Sequence, residues 1–449
     1  MTVNPVLCWP GGQLGQHDLT ARVERMAARL SRYDGGIVAV RAGNTPATVV
    51  TVLACLRRDL PVALLWPSWP AGQVAAARAV LGKAVELDER GEAVWEAAPR
   101  TSARHDDRTA LILFTSGSTG SPRAVELSRD HLDRVAQSVI EVNGLGTAGE
   151  QLIFAPLAHA LGLCCQLLPG LRAGLTTHLA EGLTQARRLM DNGQVRGAVG
   201  GVPAHWEALL RHSRFAAGGT AAITHVVSAG APLSASLRHR LRDRFPDAVL
   251  SNGYGLTEAP RAVTLSSRDP RFFSTATGRA VPGTKLRVDG GELLLGGPSV
   301  MIGYLGAPEA TAERLTGGWL RTGDEARMDP DGMVTVLGRL DDSRNVGGEL
   351  VNMAEIDQEL RCLDGVRDAA ADVDETDGYG TTLIAFLVGE HELAQLRVGD
   401  VREALAARLP WSRVPRRFFL LDELPRTPNG KLRRRMLSGR LSAAVEMRE

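Results

Sequence analysis

Short, unbroken apolar runs alternate along this chain with stretches of helical spacing, and that alternation constrains the fold more than any other feature. Residues 109–114, 151–155 and 224–228 read as buried strands, because a strand covered on both faces shows no polar alternation. From about residue 129, Leu132, Val135, Val139 and Ile140 share one helical face. Residues 45–56 are spaced as a helix and 62–66 as a strand. Strands in sequence with helices predict layered α/β architecture. The stretch 99–107 is polar and reads as a connection. Beyond Gly338 the pattern becomes a small α+β unit, with helices expected near 354–362 and 401–409 and strands near 367–373 and 381–388. The 449 residues exceed one ordinary domain. We expect a large N-terminal α/β domain over 1–340 and a small, mobile C-terminal α+β domain over 341–449.

Composition excludes several function classes. The net charge of +1 provides no field that would draw the chain to nucleic acid or an acidic membrane. No apolar run reaches the ~18 residues of a membrane span, and no basic start leads into an apolar core as in a signal peptide. The five cysteines, Cys8, Cys55, Cys164, Cys165 and Cys362, form no CxxC pair. This fits a reducing, cytoplasmic setting. Residues 411–449 hold ten basic and four acidic side chains; a solvated tail and a phosphate-facing element both fit. Of 52 basic residues only three are lysines, Lys83, Lys285 and Lys431. A lysine here is a choice of ammonium over guanidinium, and the two do different chemistry.

Five short motifs carry chemistry. Residues 115–123 read Thr-Ser-Gly-Ser-Thr-Gly-Ser-Pro-Arg, a loop after a buried strand. Its hydroxyls and free backbone N–H groups can hold phosphate oxygens, although no Walker A pattern is present. Asn252-Gly-Tyr-Gly-Leu-Thr-Glu258 offers a flat aromatic and a hard oxygen ligand. Thr322-Gly-Asp324, Gly338-Arg-Leu-Asp-Asp342 and Pro425-Arg-Thr-Pro-Asn-Gly-Lys431 follow. In the last, two prolines and an Asn-Gly form a stiff turn that presents the lysine.

Together and in this order, the motifs resemble the adenylate-forming superfamily of acyl- and aryl-CoA synthetases, peptide-synthetase adenylation domains and luciferases. The resemblance spans about residues 109–436. It implies that Thr115, Ser116, Gly117, Ser118, Thr119, Gly120 and Arg123 form the phosphate loop. Gly230, Ala231 and Pro232 would line the adenine and acyl pockets. Asn252, Gly253, Tyr254 and Gly255 would hold adenine, Thr257 the α-phosphate, and Glu258 Mg²⁺. Asp324 would bind the ribose, with Arg339 near ribose and phosphates and Asp341 at the hinge. Lys431, with Thr119 and Glu258, would be catalytic. Arg123 stands where the family usually has lysine.

Finer features resemble aryl-CoA and o-succinylbenzoyl-CoA ligases. By that likeness Gly347 and Gly348 lie where a pantetheine arm passes, and Tyr379, Trp411 and Arg413 contact CoA. His159, Leu163, Trp206 and Ser228 would form the acid pocket. The implied reaction uses ATP and Mg²⁺ to activate a small acyl or aryl carboxylic acid as acyl-AMP. The acyl group then passes to CoA, or alternatively to a carrier-protein phosphopantetheine or a nitrogen nucleophile. A nucleotide-binding regulator without chemistry is the reading from another class. No nucleic-acid or membrane partner is expected, and the oligomeric state, a homodimer included, is left open.

Overall fold

The structure, a computed structural model, describes residues 5–97, 105–115, 122–212, 222–346, 349–374, 382–389, 397–426 and 432–447. Strand β1 (Thr109–Thr115) is buried along all but its last residue. It runs parallel to Val62–Leu65 and antiparallel to β2 (Arg123–Ser128) inside a seven-stranded sheet. Helix α1 (Arg129–Asn143) starts where the Ser128 hydroxyl accepts the His131 N–H, and it stops at Gly144 in the left-handed conformation. It buries Leu132, Val135 and Val139 as the spacing predicts, with Ile140 at the edge of that face.

A second, nine-stranded sheet forms the other main layer. Its centre holds β3 (Gly197–Gly201), followed by α2 (Pro203–His212), β4 (Ile223–Ala229), α3 (Ala235–Arg244) and β5 (Val249–Leu256). β3, β4 and β5 are parallel neighbours, and β6 (Ala259–Ser266) returns antiparallel beside β5. The three parallel strands therefore end on one edge, with Gly201 beside Ser228 and Ala229 beside Gly253. Ligands of open α/β sheets bind outside such carboxyl ends. A third sheet contributes β7 (Glu292–Gly296), β8 (Trp319–Met328) and β9 (Val334–Arg339), joined as antiparallel pairs.

The C-terminal part has separate apolar cores. Helix α4 (Met353–Leu360) is capped by the Asn352 side chain, which accepts the Ala354 N–H. Strands β10 (Val366–Asp374), β11 (Thr382–Gly389) and β12 (Arg417–Leu420) form a four-stranded sheet with Val445–Glu446. One face packs Met353, Ile356 and Leu360 against Leu383, Ala385 and Leu387. The other stacks Phe386 on Phe419, ring centroids 5.5 Å apart. Helix α4 and its cap touch β8 and β9 through polar groups: the Asn352 amide donates to Glu325 at 2.7 Å and the Gln358 amide to the Val336 carbonyl at 3.4 Å. Gly338 fits beneath, since a Cβ there would lie 2.3 Å from that of Ala354.

The expected helix at 401–409 occupies Val398–Ala406 instead. No side chain caps its start, so no sequence signal marks it, and Pro410 ends the segment early.

One ionic contact locks this C-terminal unit. Arg434 and Asp357 are both buried, and both guanidinium ends donate to the carboxylate, at 2.7 and 3.3 Å. Burial alone would lower the Arg434 pKa, but the Asp357 charge raises it. Removing Arg434 leaves the buried Asp357 carboxylate with the more distant Arg361, at 3.7 Å, as its remaining cation, and breaking such a buried pair costs about 3–5 kcal/mol. Arg434→Met should therefore lower unfolding free energy by that amount in urea titrations. Arg434→Met combined with Asp357→Leu should recover most of it.

Candidate active site

A cleft of about 360 Å³ opens at the carboxyl ends of the parallel strands. One wall is the stretch 230–235 after β4, with Gly230 at φ 84°, and the end of β5 from Asn252 to Leu256. The opposite wall is Asp324, Val336, Gly338 and Arg339 from β8 and β9. Asp342, Asp357, Arg361, Arg426, Leu432 and Arg434 close it from the C-terminal side. Most of the sequence motifs thus meet in one place.

Asp324 is 5% exposed. Its Oδ2 accepts the Tyr254 hydroxyl at 2.5 Å, and its Oδ1 lies 3.3 Å from Arg339, directly opposite across β8 and β9. Arg339 also donates to the Thr322 carbonyl at 2.8 Å, and the Thr322 hydroxyl accepts the Asp324 N–H. Gly323 holds φ 70° at the centre of this turn, and a Cβ there would come 2.9 Å from the Arg339 guanidinium. Burial raises the Asp324 pKa, and Arg339 and Tyr254 offset this only in part. The Tyr254 hydroxyl is raised too, by burial and then by the adjoining carboxylate. The Asn252 amide, on the same wall, donates to the Thr277 carbonyl at 3.2 Å, and Ser228 lies opposite Asn252 in register.

Thr257 and Glu258 form the two-residue turn between β5 and β6, closed by Leu256 opposite Ala259. Glu258 is 7% exposed, and its Oε1 accepts the Tyr304 hydroxyl at 2.7 Å. The Arg123 guanidinium sits 5.6 Å over the Tyr304 ring. Burial, then the Glu258 charge, pushes the Tyr304 hydroxyl to about 12. Tyr304 thus ties the Glu258 turn to the base of the 115–123 loop, where Thr115 and Arg123 face each other across β1 and β2. Sequence reasoning missed Tyr304. Its signal was scarcity, since the chain has only four tyrosines and two of them, Tyr254 and Tyr304, bond carboxylates of the expected site. Among the described residues no cluster of three or more metal-ligating groups occurs. A single carboxylate with one oxygen engaged suits Mg²⁺, which is typically held by one or two carboxylates, waters and substrate phosphates.

The other expected site residues are more scattered. His159 caps a short helical turn, its Nδ1 accepting the Leu161 N–H at 3.1 Å, with the Trp66 ring edge-on at 6.1 Å. Leu163 is buried at the start of a π-helical turn, Leu163–Leu167. Trp206 lies in the core against Phe245, away from the cleft. Trp411 is 61% exposed beneath Arg402, and Arg413 donates to Glu355 at 2.7 Å. Asp341 lies in the helical turn Leu340–Asp342 directly after β9. Ser116, Gly117, Ser118, Thr119, Gly120, Gly347, Gly348, Tyr379 and Lys431 lie outside the described residues. Arg426 and Leu432, on either side of 427–431, pair as an antiparallel bridge and line the cleft. All five cysteine thiols have raised pKa values, each chiefly by burial.

Folds with this pair of sheets, third β-unit and C-terminal cap are found in solved ligases. The chain resembles o-succinylbenzoate CoA synthetase from Bacillus subtilis in complex with its acyl-adenylate intermediate, with a TM-score of 0.78 at 24% identity over 96% of this chain and 95% of that one. Against a double mutant of that enzyme bound to its product analogue the TM-score is 0.66, at 24% identity over 99% and 97%. In sequence it is 32% identical over 377 residues to a feruloyl-CoA synthase of an Amycolatopsis species, covering 80% of this chain and 74% of the relative. Residues 4–305 match the family described as AMP-binding enzyme, and the chain belongs to that family. Among the described residues no helix is long and apolar enough to cross a membrane.

The raised pKa of Asp324 has a signed consequence. Its folded value lies above its unfolded one, so its contribution to stability is full below the ordinary aspartate range. That contribution is lost as pH rises through the folded value. Relative to Asp324→Asn, the unliganded wild type should therefore lose melting temperature as pH rises from 4 to 7, measured by thermal melts across that range.

Proposed function

We propose that this chain is an AMP-forming acid–thiol ligase. In the first step the oxygen of an organic carboxylate attacks the α-phosphorus of ATP, and the bond to pyrophosphate breaks. In the second step the thiol of CoA attacks the acyl carbon; AMP leaves and the thiol proton is released. The observation that carries this reading is the convergence of Asn252, Tyr254, Asp324 and Arg339 in one cleft at the strand ends, drawn from separate sequence motifs. The feruloyl-CoA synthase relative supports the choice of an acid and CoA.

Each residue then has a physical task. The Tyr254 ring provides a flat wall for adenine, and Asp324 accepts the ribose hydroxyls. Glu258 would hold Mg²⁺, whose charge offsets that of the phosphates; Tyr304 fixes the rotamer of that carboxylate. Thr115–Gly120 and Arg123 would hold β- and γ-phosphate oxygens. Lys431, in the segment between Arg426 and Leu432, which both line the cleft, would lie between the attacking carboxylate and the α-phosphate. A carboxylate is a weak nucleophile approaching a centre of like charge, so positioning and charge neutralisation supply the rate.

We read residues 1–340 as the domain for ATP and acid and 341–449 as a mobile cap turning about Asp341. The polar contacts of α4 with β8 and β9 suit an interface that parts. The greater likeness to the adenylate-bound neighbour than to the product-analogue-bound one supports taking the present arrangement as the one for step one. In the other, Gly347 and Gly348 would face the pantetheine arm, with Trp411 and Arg413 toward the CoA nucleotide.

The test is carboxylate-dependent exchange of labelled pyrophosphate into ATP without thiol. Exchange with an acid, followed by thioester formation with free CoA, is the expected result. ATP binding without exchange would favour a regulator, and exchange without CoA transfer would favour a carrier protein or a nitrogen nucleophile. Lys431→Ala should lower exchange by about 10²–10³-fold yet retain most thioester formation from supplied acyl-AMP. Equal loss in both half-reactions would overturn the two-arrangement account.

A further inference from the structure

Arg261, on β6, is 1% exposed and makes no ion pair among the described residues. Its Nη1 reaches the Thr264 hydroxyl at 3.5 Å, while Nε and Nη2 have no hydrogen-bond partner there. A buried guanidinium left in this state is costly unless something anionic meets it. The described residues do not supply that anion, although they pair Arg434 with Asp357 and Arg339 with Asp324 elsewhere.

Small residues and a second unpartnered polar side chain surround this guanidinium. Arg261 lies over Gly253, where a Cβ would fall 1.5 Å from Nη1. Gly253 is the register partner of Ala229, and Val227 is that of Gly200. Register partners and residues two apart share a face, so Gly200, Val227, Ala229 and Gly253 floor one side of the three strand ends. Gln166 stands over Gly200, where a Cβ would meet its amide nitrogen at 2.2 Å. Both amide atoms of Gln166 are buried and lack a partner. Gln166 and Cys165, whose thiol interacts with Arg261, both belong to the π-helical turn Leu163–Leu167. Such turns recur at functional sites because the extra residue redirects side chains. One strand therefore separates the Asn252 and Tyr254 wall from a small-residue floor topped by an unpaired cation and an unpaired amide.

We propose that Arg261 and Gln166 top a chamber, opened when these side chains turn toward a ligand, that receives the acyl part of the substrate, and that Arg261, with Gln166 beside it, pairs with a second anionic group on that acid, remote from the carboxylate that is activated. The substrate class is then a dicarboxylic acid or an acid with an equivalent anion, and Arg261 is the residue that selects it. This rests on the acid-activating function proposed above. A neutral chain in the chamber would leave the guanidinium unpaired, and sites built around such groups discriminate strongly.

The experiment is pyrophosphate exchange with matched acids, butanoate against butanedioate and benzoate against benzene-1,3-dicarboxylate, for wild type, Arg261→Met and Arg261→Lys. Wild type should prefer the diacid of at least one pair, in kcat/KM, by about 100-fold or more. Arg261→Met should reduce that ratio about 100-fold, and Arg261→Lys should restore part of it. If Arg261→Met does not fold, thermal stabilisation of the wild type by each acid with a non-hydrolysable ATP analogue reads the same preference. Equal use of both members, a preference for monoacids, or a ratio indifferent to Arg261→Met would overturn the proposal and leave acid activation standing. No exchange with any of the four acids would defeat the acid-activating reading, and this proposal with it.

Discussion

The hydrogen bond from Tyr254 to Asp324 fastens two sheets to each other at the mouth of the cleft. Tyr254 ends a parallel strand of the nine-stranded sheet, and Asp324 lies in an antiparallel strand of the third. Without this contact the two walls would lose a direct side-chain bond, and Asp324 would be left with Arg339, its neighbour across β8 and β9. The bond holds a carboxylate in a place where burial opposes its charge. Such a group is poised to accept further donors, because each additional one offsets desolvation already incurred. The cleft is therefore stable enough to keep its shape yet incomplete in its electrostatics.

The layers were legible wherever a strand is buried on both faces, as at 109–114 and 224–228, since a short, unbroken apolar run between turn residues suits a covered strand better than a helix with one wet face. The C-terminal unit was legible for the same reason, to within a few residues at each end. The hairpin of β5 and β6 was less so. Its sequence contains two glycines, an asparagine and a glutamate, residues of low strand propensity, and tertiary pairing overrides them. Gly253 and Gly255 are there because a neighbour fills the space of their Cβ: the Arg261 guanidinium and the Pro260 carbonyl respectively.

For the site, rarity decided what could be read. Lysine is scarce, so Lys431 stood out, whereas Tyr254 was read from the motif around it. Arginine is used throughout, so Arg261 and Arg434 carried no signal in the sequence. Their roles appear only when partners are counted, one bound twice to Asp357 and the other bound to almost nothing. Trp206 illustrates the converse. It was placed at the acid pocket by its position along the chain, but the helix carrying it turns the indole into the core against Phe245.

The burial of the thiols has a consequence for fidelity. A mixed anhydride of an acid with a phosphate acylates any competent nucleophile within reach, and thiolates are among the most reactive. Cys165 stands at the chamber beside Arg261, and Cys362 lines the cleft itself. Both are held as neutral thiols by burial, and a neutral thiol is a poor attacker. A chain with the chemistry proposed above would have to keep its own sulfur from intercepting the acyl group, and burial, by keeping both thiols neutral, would do so without removing a cysteine from the site.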